Sequence, residues 1–577
     1  MTRKEFLGLL GALSLKAQST GKPVNDDDHG MKMSGVNGPT AHLGMKPPPA
    51  PPAAPVQAVS TRSGSNLRHG TYLNETRLTP AVVGGGLRKL FSMKLPGDRL
   101  GMEAQPLFVP HFKLAGGAVR DLCICCTMAN LVYAFDAGTG ALLWKRSLGT
   151  PIKGTKAIDT HLINDHWGIL STPVVDGDKL YCVAWTSQDG TVQKAKHTFF
   201  EVRLSNGTVA RSLALNEGPK ARKQRASLTL TDVNGKKTVF IPWGTILETS
   251  DGAHGIITAV DLDTWKVASE WNATPSGTGA GIWMAGQGLT ESGDFYVLTG
   301  NGTFGNGNLG ESFVRIHYEN GAFSVVDWWS PWMDSQRDPN NGWDDMDLGS
   351  GAPIYIPEFA LVVGAGKDGI LYVVNANAMG KTSPEELKDP GGNYAKLKTP
   401  PLWFTFFPGF DVNAAPNNAR DLDKLFQNRT HHQHGSPVYW ERKLFCWGEN
   451  SNLRVFSING DGKVAYVGRS EEVASPFSPV PPGGMPGGMM CLSANGNKDG
   501  VLWACVPDED ANQKVSNGRV FAFDANDFSE KLADGDHRVK RIWMSDTYVY
   551  NKFNVPVVNG GKLYVPTYSA SVDVFGV

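Results

Sequence analysis

One short pattern recurs eight times along this chain, and it limits the fold more than any other feature: alternating apolar residues, a polar turn, a glycine, then another apolar strand. The fullest copy runs from Leu131 to Trp144, LVYAFDAGTGALLW. Alternation with period two marks strands, and Ala-Gly-Thr-Gly marks a tight hairpin between them. Aligned on Asp136, the other copies fall at Arg203, Asp261, His317, Asn375, Ser457, Asp524 and Asp573, 49 to 82 residues apart. Each interval holds a four-stranded sheet with loops of varying length, and stacked repeats of this kind close into rings. The expectation is an all-β chain, an eight-bladed β-propeller of four-stranded antiparallel blades spanning residues 71–577.

The last copy stops at Val577, just after its third strand, so its blade lacks an outer strand. Near the other end, the strand-like run from Lys89 to Leu95 has no hairpin partner of its own. Pairing the two predicts a ring closed by an N-terminal outer strand, which leaves no open sheet edge. A second recurrent element, a small or polar residue, proline and an apolar pair, appears around Pro106, Pro173, Pro353, Pro437 and Pro556. Proline suits the first residue of a strand, where its missing N–H costs little. These prolines therefore mark the first, channel-lining strand of several blades, and the loops leading into them converge on one mouth.

Residues 1–15, with Arg3, Lys4 and a short apolar run, read as an export signal, placing the protein in the periplasm or outside the cell. Residues 16–70 are rich in Pro, Gly and Ser and read as a disordered segment, whose His29, Met31, Met33, His42 and Met45 are incidental or soft-metal ligands. No apolar run is long enough to span a membrane. Lys and Arg number 55 against 56 Asp and Glu, so no global field gathers nucleic acid. The seven cysteines include no C-x-x-C-H of a haem attachment, and Cys125-Cys126 lie in a strand-like run, as buried thiols or as a strained vicinal disulfide.

Loops at the expected mouth carry Glu103; His166 and Trp167; Asp344, Asp345 and Asp347; and His431, His432 and His434, with Arg225 and Trp283 at comparable positions in the less regular blades. Acids, bases and flat aromatic faces at one mouth suit a planar cofactor or a small polar ligand. The same residues also have plainer readings. Trp283 fills the taper between blades, the Asp345–Ser350 stretch is a turn capped by its carboxylates, and the histidines form a solvated loop.

The repeat AFDAGTGALLW resembles that of the pyrroloquinoline quinone (PQQ) propellers, and the likeness extends over residues 71–577. The segments GIWMAGQG (281–288), VLTGNGTFG (297–305), DMDLGSGAPIYIP (345–357) and GAGKDGILYVVN (364–375) run in the order of the cofactor-contacting segments of quinoprotein alcohol dehydrogenases. The resemblance implies PQQ and calcium, with Trp283 under the quinone ring, Asp347 as the general base, Lys367 as the cation at the quinone oxygens, and Asn301 or Thr303 as metal ligands beside Asp347. Arg225 and Trp167 join the cofactor-binding set. One departure bears on the metal: the stretch where these enzymes carry a metal-binding Glu reads Ser250-Asp251-Gly252-Ala253-His254. It also resembles many PQQ-like proteins with no assigned reaction.

Three functions follow as expectations. The first is an exported quinoprotein oxidoreductase acting on an alcohol or sugar hydroxyl, passing electrons to a separate acceptor. The second is a cofactor-free scaffold that binds a protein or glycan. The third is a metal-dependent hydrolase or lyase using His434 and Asp347 at the mouth.

Overall fold

The structure, a computed structural model, describes residues 54–577 apart from 157, 159–160, 218–221, 247–251, 331–346, 368, 382–401, 406–431 and 477–483. The export signal, residues 16–53, and Asp251, Asp344, Asp345 and His431 lie outside the described residues.

The repeat register places all eight aligned residues on the third strand of successive sheets, and those sheets are the eight blades of a propeller. In the first blade the strands Leu107–Lys113, Val119–Cys126, Leu131–Asp136 and Leu142–Ser147 pair in chain order. The polar residue that ends the third strand recurs for a local reason. Asp136 Oδ1 accepts hydrogen bonds from the Gly138 and Thr139 N–H groups at 3.0 and 2.9 Å, and Asp261 does the same for Asp263 and Thr264. All five prolines immediately precede the first strand of a blade, such as Val174–Asp176 after Pro173 and Val438–Trp440 after Pro437.

Closure of the ring follows the expected pairing. Arg88–Lys94 pairs antiparallel with Ser571–Gly576, joining the two ends of the propeller in one four-stranded sheet. Lys89 Nζ and Ser92 Oγ both reach the Asp573 carboxylate, at 2.7 Å each.

The cores lie between neighbouring blades, where facing strands interdigitate. Phe240 of the third blade meets Phe295 of the fourth at 4.4 Å between ring centroids, the planes tilted by 48°, within an apolar cluster shared by both. Outer strands dock as well. Trp144 lies flat on the second blade's hairpin, its Nε1 donating to Leu204 O at 2.8 Å. A Cβ on Gly207 would come within 2.6 Å of that ring, and its φ of +72° also favours glycine. All seven cysteines are buried free thiols, so Cys125 and Cys126 form no vicinal disulfide.

Residues 54–70 differ from the expectation of a disordered segment. They run as a strap that touches every blade in turn. Gln57 pairs with Asn559, Val59 with Phe108, Ser60 with Val175, Asn66 with Leu230 and Glu291, Leu67 with Tyr355, His69 with Tyr439, and Gly70 with Leu492. A polar segment cannot build its own core, but here it borrows one by exchanging backbone hydrogen bonds with first strands already held in place. Arg62 and Arg68 go with it into the channel and are fully buried, leaving about 10 Å³ of free space around them.

Candidate functional site

The loops leading into the first strands gather two clusters of side chains. The first is built on Arg225, which precedes the strand Thr229–Val233. Its guanidinium makes a two-bond contact with the Glu103 carboxylate, at 2.8 and 3.4 Å, and both side chains are nearly buried. Around it stand the rings of Phe553 at 4.9 Å, Trp167 at 5.6 Å and Trp283 at 6.0 Å. The Lys223 ammonium also lies over the Trp167 ring, at 4.2 Å. His166, next to Trp167, instead pairs with Asp165 and lies 3.8 Å from Asp98; burial lowers its pKa.

Trp283 is half-buried, its ring set against the backbone of Gly244, where a Cβ would come within 2.6 Å. The turn that carries it is unusual. Met284, Ala285 and Gly286 have φ of +45°, +44° and +83°, a run that L-residues rarely adopt. Arg62 of the strap holds it: Nη2 donates to Ala285 O at 3.3 Å and to Phe553 O at 2.6 Å. One buried guanidinium thus positions the turns bearing two of the aromatic rings.

The second cluster centres on Asp347, which is 2% exposed. Its Oδ1 accepts the Asn301 backbone N–H and its Oδ2 accepts Lys367 Nζ, both at 2.8 Å. Gly300 permits that approach, because a Cβ there would lie 2.3 Å from Oδ1. Asp347 begins the short turn Leu348–Ser350 without capping it; the Leu348 N–H is taken by Glu311 Oε2 at 2.7 Å. Capping is therefore assigned to Glu311, while the Asp347 carboxylate accepts from Asn301 and Lys367.

The histidine loop is laced to this turn. Gln433 N–H donates to Gly366 O at 2.9 Å, and Ser350 Oγ donates to Gln433 O at 3.1 Å. His432 Nδ1 lies 2.7 Å, and His434 Nε2 3.9 Å, from Glu449 Oε1. Burial pushes His434 well below the usual histidine range, reinforced by His432, Lys367 and Lys552, so its imidazole is neutral near pH 7. Burial also raises the Glu449 carboxyl, against the opposing pull of His432. The His434 ring stands 6.3 Å from Phe553, which also faces Arg225, so one ring adjoins both the arginine and the histidine loop.

Of the residues expected at the mouth, the structure brings Arg225, Trp167 and Trp283 together, and joins Asp347, Lys367 and Asn301. His434 converges with His432 on Glu449 rather than on Asp347. Thr303 is placed elsewhere: its Oγ1 accepts the Thr278 N–H at 3.0 Å in a contact between two loops. Phe553, Glu311, Glu449 and Arg62 were not singled out by the sequence, because each acts through a neighbour supplied by a distant blade.

No family model and no curated protein matches the sequence. Solved structures do. A quinohemoprotein alcohol dehydrogenase from Comamonas testosteroni aligns with 90% of this chain and 80% of its own, at TM-score 0.55 and 14% identity. A europium-containing methanol dehydrogenase aligns over 90% and 98%, at TM-score 0.56 and 12% identity. Quinohemoprotein alcohol dehydrogenase ADHIIG from Pseudomonas putida HK5 aligns over 90% and 80%, at TM-score 0.51 and 15% identity. With eight blades and these structural alignments, this chain is a β-propeller with the fold of the quinohemoprotein alcohol dehydrogenases.

Proposed function

We propose that the mouth oxidises a hydroxyl on a small polar substrate, with PQQ as the electron-pair acceptor. The observation that carries this reading is the Asp347–Lys367 pair, a buried carboxylate that accepts the Asn301 backbone N–H and the Lys367 ammonium.

The residues present suit a planar quinone that bears carboxylates. Trp283 offers a half-exposed indole on a rigid backbone floor, and Arg225 and Lys367 supply cations. They do not suit calcium equally well. Asn301 and Asp347 meet, but Thr303 faces Thr278, and the Lys367 ammonium already stands at Asp347 Oδ2. No step is assigned to calcium.

PQQ, when bound, supplies the redox chemistry. The chain does the rest. Asp347 accepts the substrate's hydroxyl proton, and the Lys367 ammonium, 2.8 Å from its Oδ2, holds that carboxylate in place. Arg225, fixed by Glu103, and the rings of Trp167, Trp283 and Phe553 orient the reactants and exclude water. A separate acceptor takes up the electrons, and the apparent signal at residues 1–15 supports export.

The test is substrate-dependent reduction of an artificial dye by purified protein supplied with PQQ, with and without calcium, across alcohols and sugars. Turnover on a subset of hydroxyl compounds is expected. Dye reduction that is absent for every compound despite cofactor uptake would sink the oxidoreductase reading.

A further inference from the structure

We infer that His432, His434 and Glu449 form a binding site for a divalent first-row transition metal, zinc or a congener, set against the mouth and distinct from any calcium site at Asp347. One ligating atom from each residue lies within 4.8 Å of the other two, and among the described residues this is the only such group of three or more histidine, cysteine or acidic side chains.

Two loops build it. His432 and His434 lie on the segment leading into Val438–Trp440, and Glu449 lies just past Lys443–Cys446. The Glu449 N–H donates to His432 O at 2.9 Å, which fixes the loops to each other before any ion binds. Spacing of i and i+2 in an extended segment puts both imidazoles on one side of the chain. Glu449 and His434 are each 1% exposed.

The need for a ligand shows in the imidazoles. His434 Nε2, which lies toward Glu449, is buried without a hydrogen-bond partner, and His432 brings its Nδ1 to the same carboxylate oxygen. A buried polar atom left in that state costs about 1–3 kcal/mol, and an ion that accepts an imidazole lone pair removes the cost. The donor set suits this class of ion. Imidazole with carboxylate selects zinc, iron, cobalt or copper over calcium, which takes oxygen ligands. Bonds of about 2.0–2.2 Å in tetrahedral array hold ligand atoms about 3.3 Å apart. The observed 2.7 and 3.9 Å to Glu449 Oε1 bracket that spacing, so small side-chain rotations complete the site.

Three protein ligands leave a position open, as in catalytic rather than structural zinc sites. The His432 side chain, 12% exposed, is the most accessible of the three, which places the opening on its side. The site does not depend on the quinone reading, since none of its ligands belongs to the Trp283 or Asp347 cluster.

The experiment uses the full chain stripped with a chelator and then titrated with Co²⁺ or Zn²⁺, reading bound metal after gel filtration and the visible absorption of cobalt. About one equivalent retained, with the intense visible bands of low-coordinate cobalt, is expected. His434→Ala and Glu449→Gln should each weaken retention by more than about a hundredfold, beyond the loss that even a partner of a ligand brings. Asp347→Asn should retain the metal, which separates this site from the proposed quinone chemistry. No retained metal and no visible bands in the wild-type protein would overturn the inference, as would undiminished retention in folded His434→Ala. If the variants fail to fold, the wild-type cobalt spectrum decides by itself.

Discussion

Arg68→Met should destabilise the protein by at least about 4 kcal/mol, one of the two largest effects expected from a single substitution in this chain. Arg68 is 0% exposed, and its guanidinium donates five hydrogen bonds: to Leu289 O, Thr61 Oγ1, Arg62 O, Leu228 O and Thr229 Oγ1. Methionine matches its apolar stem and supplies no donor, so these acceptors lose their partner in a channel too narrow to admit bulk water. Burial pulls the Arg68 pKa down to about 9, with a further push from Arg62 and an opposing pull from Glu291, so the group keeps its charge at neutral pH. Arg68→Lys should recover little of the loss, because an ammonium cannot reach acceptors spread along a planar fork. Urea unfolding followed by tryptophan fluorescence measures the difference. A loss below about 1 kcal/mol would mean that the strap merely lies in the channel without securing the blades it touches.

Asp347→Asn should lower kcat for hydroxyl oxidation by about a thousandfold while leaving the fold intact, since a positioned general base contributes on the order of 10²–10⁴. The amide is isosteric, and its oxygen still accepts the Asn301 N–H or the Lys367 ammonium, so the turn at Leu348–Ser350 keeps its support from Glu311. What disappears is the capacity to take a proton. The effect should fall on kcat with little change in KM, which distinguishes a lost base from a lost substrate contact. Equal activity in the variant would remove Asp347 from the proposed chemistry.

The architecture was legible because its signals are local and repeated. An Asp or Asn that caps the hairpin after the third strand, as at Asp136 and Asp261, marks its blade wherever it occurs. The unpartnered strand at Arg88–Lys94 was equally readable, since an open blade at the C-terminus required one. The strap was not legible. Its pairing runs through backbone groups, which any side chain carries, and its buried arginines sit in a segment whose polar, Pro-rich composition argues for solvent.

The mouth divides along the same line. Loops leading into proline-marked strands carry Trp167, Asp347 and His434, just as the repeat register indicated. Arg225 and Trp283 came from blades with weaker repeats and still meet, at 6.0 Å. Thr303 was placed by analogy of segment, and a loop pairing with Thr278 claims it. Glu449 and Phe553 carry no periodic or motif signal; they become visible only when His434 and Arg225 show what they face.

The central claim is that this mouth binds a quinone cofactor, and a fluorescence titration of the purified protein with PQQ tests it most directly. The account predicts saturable quenching at about one equivalent, because the cofactor would lie on Trp283. It also predicts that Trp283→Ala removes most of the quenching and that Lys367→Met weakens binding, with the melting temperature of each variant as the control for folding. The absence of any saturable change, or saturation unaltered by both substitutions, would contradict it.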